Sequence, residues 1–108
     1  RVRGYQVEID PSARAFTAGI YDEARRGWLY PLTDNPAARS SFKPGRWNLV
    51  QVTARGSRIQ TWINGLPAAD LFDATDASGH IAFQVHGVGD RKDPIEVRFR
   101  NVRLRKLE

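Results

Sequence analysis

Arg58-Ile59-Gln60-Thr61-Trp62-Ile63-Asn64-Gly65-Leu66-Pro67-Ala68 decides how this chain folds. The first six residues alternate, with Ile59 and Ile63 on one parity and Arg58, Gln60 and Trp62 on the other. The Asn64-Gly65 dipeptide that follows tolerates positive φ at both positions, which a type I′ hairpin turn requires. Arg55-Gly56-Ser57 makes a second tight reversal just before, and Lys43-Pro44-Gly45 a turn that leads into Arg46-Trp47-Asn48. A dominant period of two, broken by turn residues at short intervals, predicts antiparallel β structure. Strands are expected near 3–9, 15–21, 27–31, 47–54, 57–63, 66–71, 80–86 and 95–105.

Segments 33–42 and 72–79 lack period and read as loops; a short helical turn within 34–41 is compatible with the sequence but not required. In the last strand the apolar parity changes from Ile95, Val97 and Phe99 to Val102 and Leu104, so Asn101 is expected to absorb one residue as a bulge. Eight short strands with hairpin connections predict an all-β, antiparallel two-sheet sandwich or jelly roll, with residues 1–108 as a single domain. Arg1 enters a strand almost at once. The expectation is therefore a domain lacking its N-terminal strands, with those strands or another chain completing the sheet.

Two strands carry the polar groups that matter. In Gly79-His80-Ile81-Ala82-Phe83-Gln84-Val85-His86-Gly87, Ile81, Phe83 and Val85 point to a core, and Gln84 and His86 line the other face. In Gly4-Tyr5-Gln6-Val7-Glu8-Ile9-Asp10, Tyr5, Val7 and Ile9 point inward, and Gln6, Glu8 and Asp10 outward. His80, beside the Gly79 turn, is expected to be exposed. Trp28 and Tyr30 alternate with Leu29 as a wall of a cleft, and Tyr21-Asp22-Glu23 would form its rim.

Bulk properties exclude several classes. No run approaches the roughly 20 apolar residues of a membrane helix. The chain has no cysteine, hence neither a disulfide framework nor a thiolate metal site. It has no methionine, not even at position 1, so it is expected to be a mature or trimmed chain, or part of a longer one. Any signal segment would lie upstream, and a periplasmic or secreted bacterial location accompanies that expectation. The net charge of +5 is carried almost wholly by arginine. Its densest cluster, Arg98, Arg100, Arg103, Arg105 and Lys106, is interleaved with Val97, Phe99, Val102 and Leu104. That describes one solvated strand face with its aromatic residues turned to the core, so no nucleic-acid partner is expected.

Six segments in this order resemble a known family: Gly4 to Asp10, Gly19-Ile20-Tyr21, Gly45-Arg46-Trp47-Asn48, Asn64-Gly65, Gly79 to Gly87, and Val97-Arg98-Phe99-Arg100-Asn101-Val102-Arg103. Together they resemble the 3-keto-disaccharide hydrolase domain, and the resemblance runs across essentially the whole chain. It implies a concanavalin A-like jelly roll that binds carbohydrate on a concave sheet, with this chain as the C-terminal part of such a domain. Two positions depart from the family pattern. Many members carry Glu and Gln in the reverse order from Gln6 and Glu8, and many carry Asp where Val85 stands.

The activity implied is cleavage of glycosides already oxidised to a ketone at sugar carbon 3, by removal of the carbon 2 proton, β-elimination and hydration. Such a site needs a base and an acid, and Glu8 and His86 are the candidates. The residues do not decide which is which. Gln6 and Gln84 would hydrogen-bond sugar hydroxyls, and Tyr21 and Asp10 are further substrate contacts. Trp62 is a candidate stacking platform, with a packing role at the sheet rim as the alternative. A divalent cation held by His86 with Glu8 or Asp10 is a further option, although the sequence supplies only one plausible imidazole ligand. The alternative to an enzyme is a non-catalytic carbohydrate-binding jelly-roll module.

Overall fold

The computed structural model describes residues 4–75, 82–83 and 98–105. The chain forms two compact units, Arg1–Ala77 and Ser78–Glu108. The first holds β1 (Gly4–Val7), β2 (Ile20–Glu23), β3 (Gly27–Tyr30), α1 (Pro36–Ser41), β4 (Val50–Arg55), β5 (Arg58–Ile63) and β6 (Leu66–Phe72). Two antiparallel three-stranded sheets result, one in the order β1-β2-β3 and the other β4-β5-β6. The molecule is therefore all-β, as expected, apart from one short helix. That helix occupies a segment read from the sequence as loop. Asn35 caps it, its side chain accepting the Ala38 N–H at 3.1 Å, and Pro36 stands in the first turn, where a missing N–H costs nothing.

The two sheets pack face to face over a small core. Ala18, Leu32, Ala38, Ile63 and Ala68 form one buried cluster, against which Val7, Phe16, Tyr30, Phe42 and Val50 pack. Ile20, Ile59 and Ala69 form a second, flanked by Tyr5, Leu29, Tyr30 and Leu71. Strand β5 shows the predicted alternation: Ile59, Thr61 and Ile63 are buried, and Arg58, Gln60 and Trp62 are not. Buried Thr61 is satisfied twice, donating to the Ala18 carbonyl at 2.6 Å and accepting the Ala69 N–H at 2.9 Å.

The β5–β6 turn has the geometry that its sequence requires, with φ of 50° at Asn64 and 83° at Gly65. The Asn64 side chain also ties three segments together. Its Oδ1 accepts the Leu49 N–H at 2.8 Å, and its Nδ2 donates to the Ser41 carbonyl at 2.7 Å and to Asn48 Oδ1 at 2.9 Å. Asn48 in turn accepts the Lys43 N–H and donates to the Lys43 and Arg46 carbonyls. Two amides thus fix the helix end, the Lys43-Pro44-Gly45 turn and the entry to β4.

Several expectations are corrected. Residues 15–19 are not strand: Ala15 and Ala18 adopt φ of 54° and 78°, which no ladder accommodates, so β2 begins only at Ile20. Ile9 and Asp10 exchange faces, with Ile9 41% exposed and Asp10 7%, because the chain leaves β1 after Val7. Residues 98–105 carry no strand. Asn101 has a left-handed φ of 53°, so the parity change is a kink rather than a bulge in a paired strand. Phe99, Val102 and Leu104 are 39%, 62% and 80% exposed rather than turned to a core. Within this second unit the Phe83 and Phe99 rings lie 4.3 Å apart. The expected strand 80–86 lies outside the described residues except for Ala82 and Phe83, which are not in a strand. Among the described residues no helix is long and apolar enough to cross a membrane.

Replacing Asn48 by Ala removes an acceptor and a donor shared by three segments. An Asn48→Ala variant is expected to lose about 1–3 kcal/mol of stability in urea unfolding, with an unchanged slope. Stability equal to the parent would show that the amide pair is ornamental.

Candidate functional site

Antiparallel pairing of β1 and β2 sets Gln6 opposite Tyr21 and Val7 opposite Ile20. Val7 and Ile20 enter the core, so Gln6 and Tyr21 stand side by side on the outer face of the sheet. Glu8 lies one step beyond the strand, but its backbone remains anchored. Its N–H donates to the Gly19 carbonyl and its C=O accepts the Ala18 N–H, both at 2.9 Å. The Gln6 side chain donates from Nε2 to Glu8 Oε2 at 2.9 Å. The two polar residues read from the sequence as one row are therefore in contact, and both are half-buried.

A β-bulge extends this face in aromatic material. Ile20 pairs with Tyr30, yet Tyr21 pairs with Trp28, which leaves Leu29 as the extra residue. The bulge sends Trp28 outward and Tyr30 into the core, so the expected wall of Trp28 and Tyr30 is corrected to Trp28 alone. The Trp28 ring meets Tyr21 edge-on at 5.3 Å and Phe16 edge-on at 5.5 Å. Arg14 lies over both Phe16, at 4.9 Å, and Trp28, at 5.4 Å. Gly19 allows this approach: a Cβ there would stand 3.0 Å from the Phe16 carbonyl and 3.1 Å from the Trp28 ring. Periodicity alone did not give Phe16 or Arg14, because both sit on a loop.

The loop is organised by Asp10. One carboxylate oxygen accepts the Ser12 N–H and hydroxyl at 3.2 and 2.7 Å; the other accepts Arg14 Nε at 2.6 Å and the Phe16 N–H at 3.2 Å. Burial pushes this carboxyl up, but the hydrogen bonds outweigh it and hold it below the ordinary value of 3.8. Asp10 thus shapes the wall, with both oxygens engaged in holding the loop.

Asp22, read from the sequence as part of a rim, is completely buried. It shares parity with Ile20 and so faces inward, where Arg25 Nε donates to Oδ1 at 2.8 Å and Arg26 Nε to Oδ2. Arg26 continues to Asp73 through Nη1 at 2.7 Å, and the Tyr5 hydroxyl donates to the same carboxylate. A chain of charge therefore joins the first sheet to the end of β6. Burial raises the Asp22 carboxyl, yet the Arg26 and Arg25 hydrogen bonds and charges win and set it below 3.8. Arg26 and then Tyr5 hold Asp73 well below the usual carboxylate range.

Trp62 is not brought to this face. It lies on the outer face of the other sheet, with the core between them, and lines a pocket of about 250 Å³ that contains none of Gln6, Glu8 or Tyr21. Gln84 and His86 lie outside the described residues. Among the described residues no group of three or more His, Asp or Glu has the arrangement of a metal site.

The depressed Asp22 pKa gives stability a defined pH dependence. Above the unfolded-state value the carboxylate is ionised in both states and its arginine pairs contribute fully. As pH falls toward the lower folded value the unfolded chain takes the proton first, and stability drops. An Asp22→Asn variant is expected to melt several degrees lower at pH 7, with a shallower decline below pH about 5. Parallel melting curves for variant and parent across that range would contradict the assignment.

An outer face that carries a paired carboxylate and carboxamide beside edge-packed aromatic rings suits a polar, ring-shaped ligand. No curated protein gives a match to the chain. The family model described as a 3-keto-alpha-glucoside-1,2-lyase-like domain matches residues 1–105, essentially the whole chain, and the chain belongs to that carbohydrate-related family.

Proposed function

We propose that this domain cleaves 3-keto-glucosides, with Glu8 as one of two proton-transferring groups. The observation that carries the proposal is the Gln6–Glu8 contact on the outer sheet face, beside Tyr21 and Trp28. A ketone at carbon 3 acidifies the carbon 2 proton. A base takes that proton, and the electron pair passes into the carbon 3 oxygen as an enolate. Collapse of the enolate restores the ketone, forms the carbon 1–carbon 2 double bond and expels the glycosidic oxygen, which an acid protonates. This is the lyase step that the family description names; addition of water across the new double bond would turn it into net hydrolysis.

Each described residue has work suited to it. Gln6 holds one Glu8 oxygen in place, so the carboxylate meets the sugar in a fixed orientation. Tyr21 and Trp28, both half-buried, would offer an apolar surface to the carbon-bound hydrogens of a pyranose. His86 is the second titratable group that the sequence supplies. Gln84, from the same row, would hydrogen-bond a sugar hydroxyl.

The test is turnover of a 3-keto-glucoside by Glu8→Gln and Gln6→Ala variants. Glu8→Gln is expected to lower kcat by about 10²- to 10⁴-fold with little change in substrate affinity. Gln6→Ala, which only orients the carboxylate, should lose less. Turnover by Glu8→Gln at the parent's rate would remove Glu8 from the chemistry. Binding by a parent that shows no turnover would favour the carbohydrate-binding module instead.

A further inference from the structure

The pocket against Trp62 is unused by the chemistry proposed above. It forms where β5 and β6 lose register: Gln60 pairs with Asp70 and Trp62 with Pro67, so β6 carries an extra residue. Its walls come from Trp62, Gln60, Asp70, Tyr30, Asn35 and the Ala68–Ala69 bulge. Asn35 makes the bulge rigid, donating to the Pro67 and Ala68 carbonyls at 3.0 and 3.1 Å while its Oδ1 caps α1. Asp70 is also held, because Arg58 donates to both its oxygens, at 2.9 and 2.7 Å.

We propose that this pocket is a second carbohydrate-contact site, taking one neutral, unoxidised hexopyranose ring. The choice of ligand class rests on the carbohydrate reading of the family; the placement of the site does not. Trp62 and Gln60 are two residues apart on the same outer face, so a flat indole and a carboxamide with both donor and acceptor atoms adjoin. Asp70, directly opposite Gln60, adds fixed acceptor oxygens. An aromatic face with a few convergent polar groups suits the apolar side and the hydroxyls of a sugar. A volume of about 250 Å³ lies below the range of drug-sized sites, leaving room for a single ring. Arg58 neutralises the Asp70 carboxylate, so the wall carries no unpaired charge to select a charged ligand.

This site shares no residue with the Gln6–Glu8 face, so it would tether the domain to a glycan rather than touch the reacting carbons. Methyl α-D-glucopyranoside, which has no ketone and cannot undergo the elimination, is the probe. In ¹H–¹⁵N spectra the protein gives three indole signals, from Trp28, Trp47 and Trp62, with Trp62 assigned by a Trp62→Phe variant. Titration to millimolar probe is expected to shift the Trp62 signal. Gln60→Ala, with unchanged melting temperature, should weaken binding roughly fivefold or more. Glu8→Gln should bind the probe as the parent does, which separates this site from the catalytic proposal. A shift confined to Trp28, an unmoved Trp62 signal, or undiminished binding by Gln60→Ala would each overturn the proposal. A protein that binds here yet never turns over a 3-keto-glucoside would sink the catalytic reading and leave this one standing.

Discussion

Asp10 gathers two backbone N–H groups, a hydroxyl and a guanidinium onto one carboxylate, and the loop between β1 and β2 takes its shape from that convergence. Without such a partner, loop 11–17 would bear the entropic cost of ordering with little return. With it, Ala18 and Gly19 come back to the backbone of Glu8, and Phe16 is delivered edge-to-ring against Trp28. Gly19 then lets the indole close down on the loop. The position of Glu8 and the aromatic ridge beside it are thus two consequences of one buried carboxylate.

What could be read from the sequence follows from how local each signal is. The Asn64-Gly65 hairpin was legible because a type I′ turn is decided by two residues. The shared face of Gln6 and Glu8 was legible because strand parity is a nearest-neighbour property. Ile9 and Asp10 broke the parity because Asp10 is claimed by partners up to Phe16, a competition that alternation does not register. The outward turn of Trp28 away from Tyr30 depends on a bulge at Leu29, and a bulge is set by pairing with another strand. Asp22 looked solvated because carboxylates usually are; Arg25, Arg26 and the Tyr5–Asp73 contact make its burial tolerable.

Trp62 illustrates a different limit. Alternation along β5 correctly separated it from Ile59 and Ile63, yet parity within one strand does not say which strand of another sheet shares that face. Packing supplies the answer. Two three-stranded sheets bury Val7 and Ile20 against Ile59 and Ile63, so the polar rows of the two sheets look in opposite directions. A small sandwich of this kind has two outward faces, so Gln6 and Trp62 are not brought to one surface.

The central proposal is that cleavage of a 3-keto-glucoside begins with loss of its carbon 2 proton, with Glu8 as one of the two groups that transfer protons. Deuterium at carbon 2 tests it most directly, through the isotope effect on kcat/KM for the protein and for its Gln6→Ala variant. A primary isotope effect is expected in the protein and in the Gln6→Ala variant. Turnover with no isotope effect in either protein would contradict the proposal.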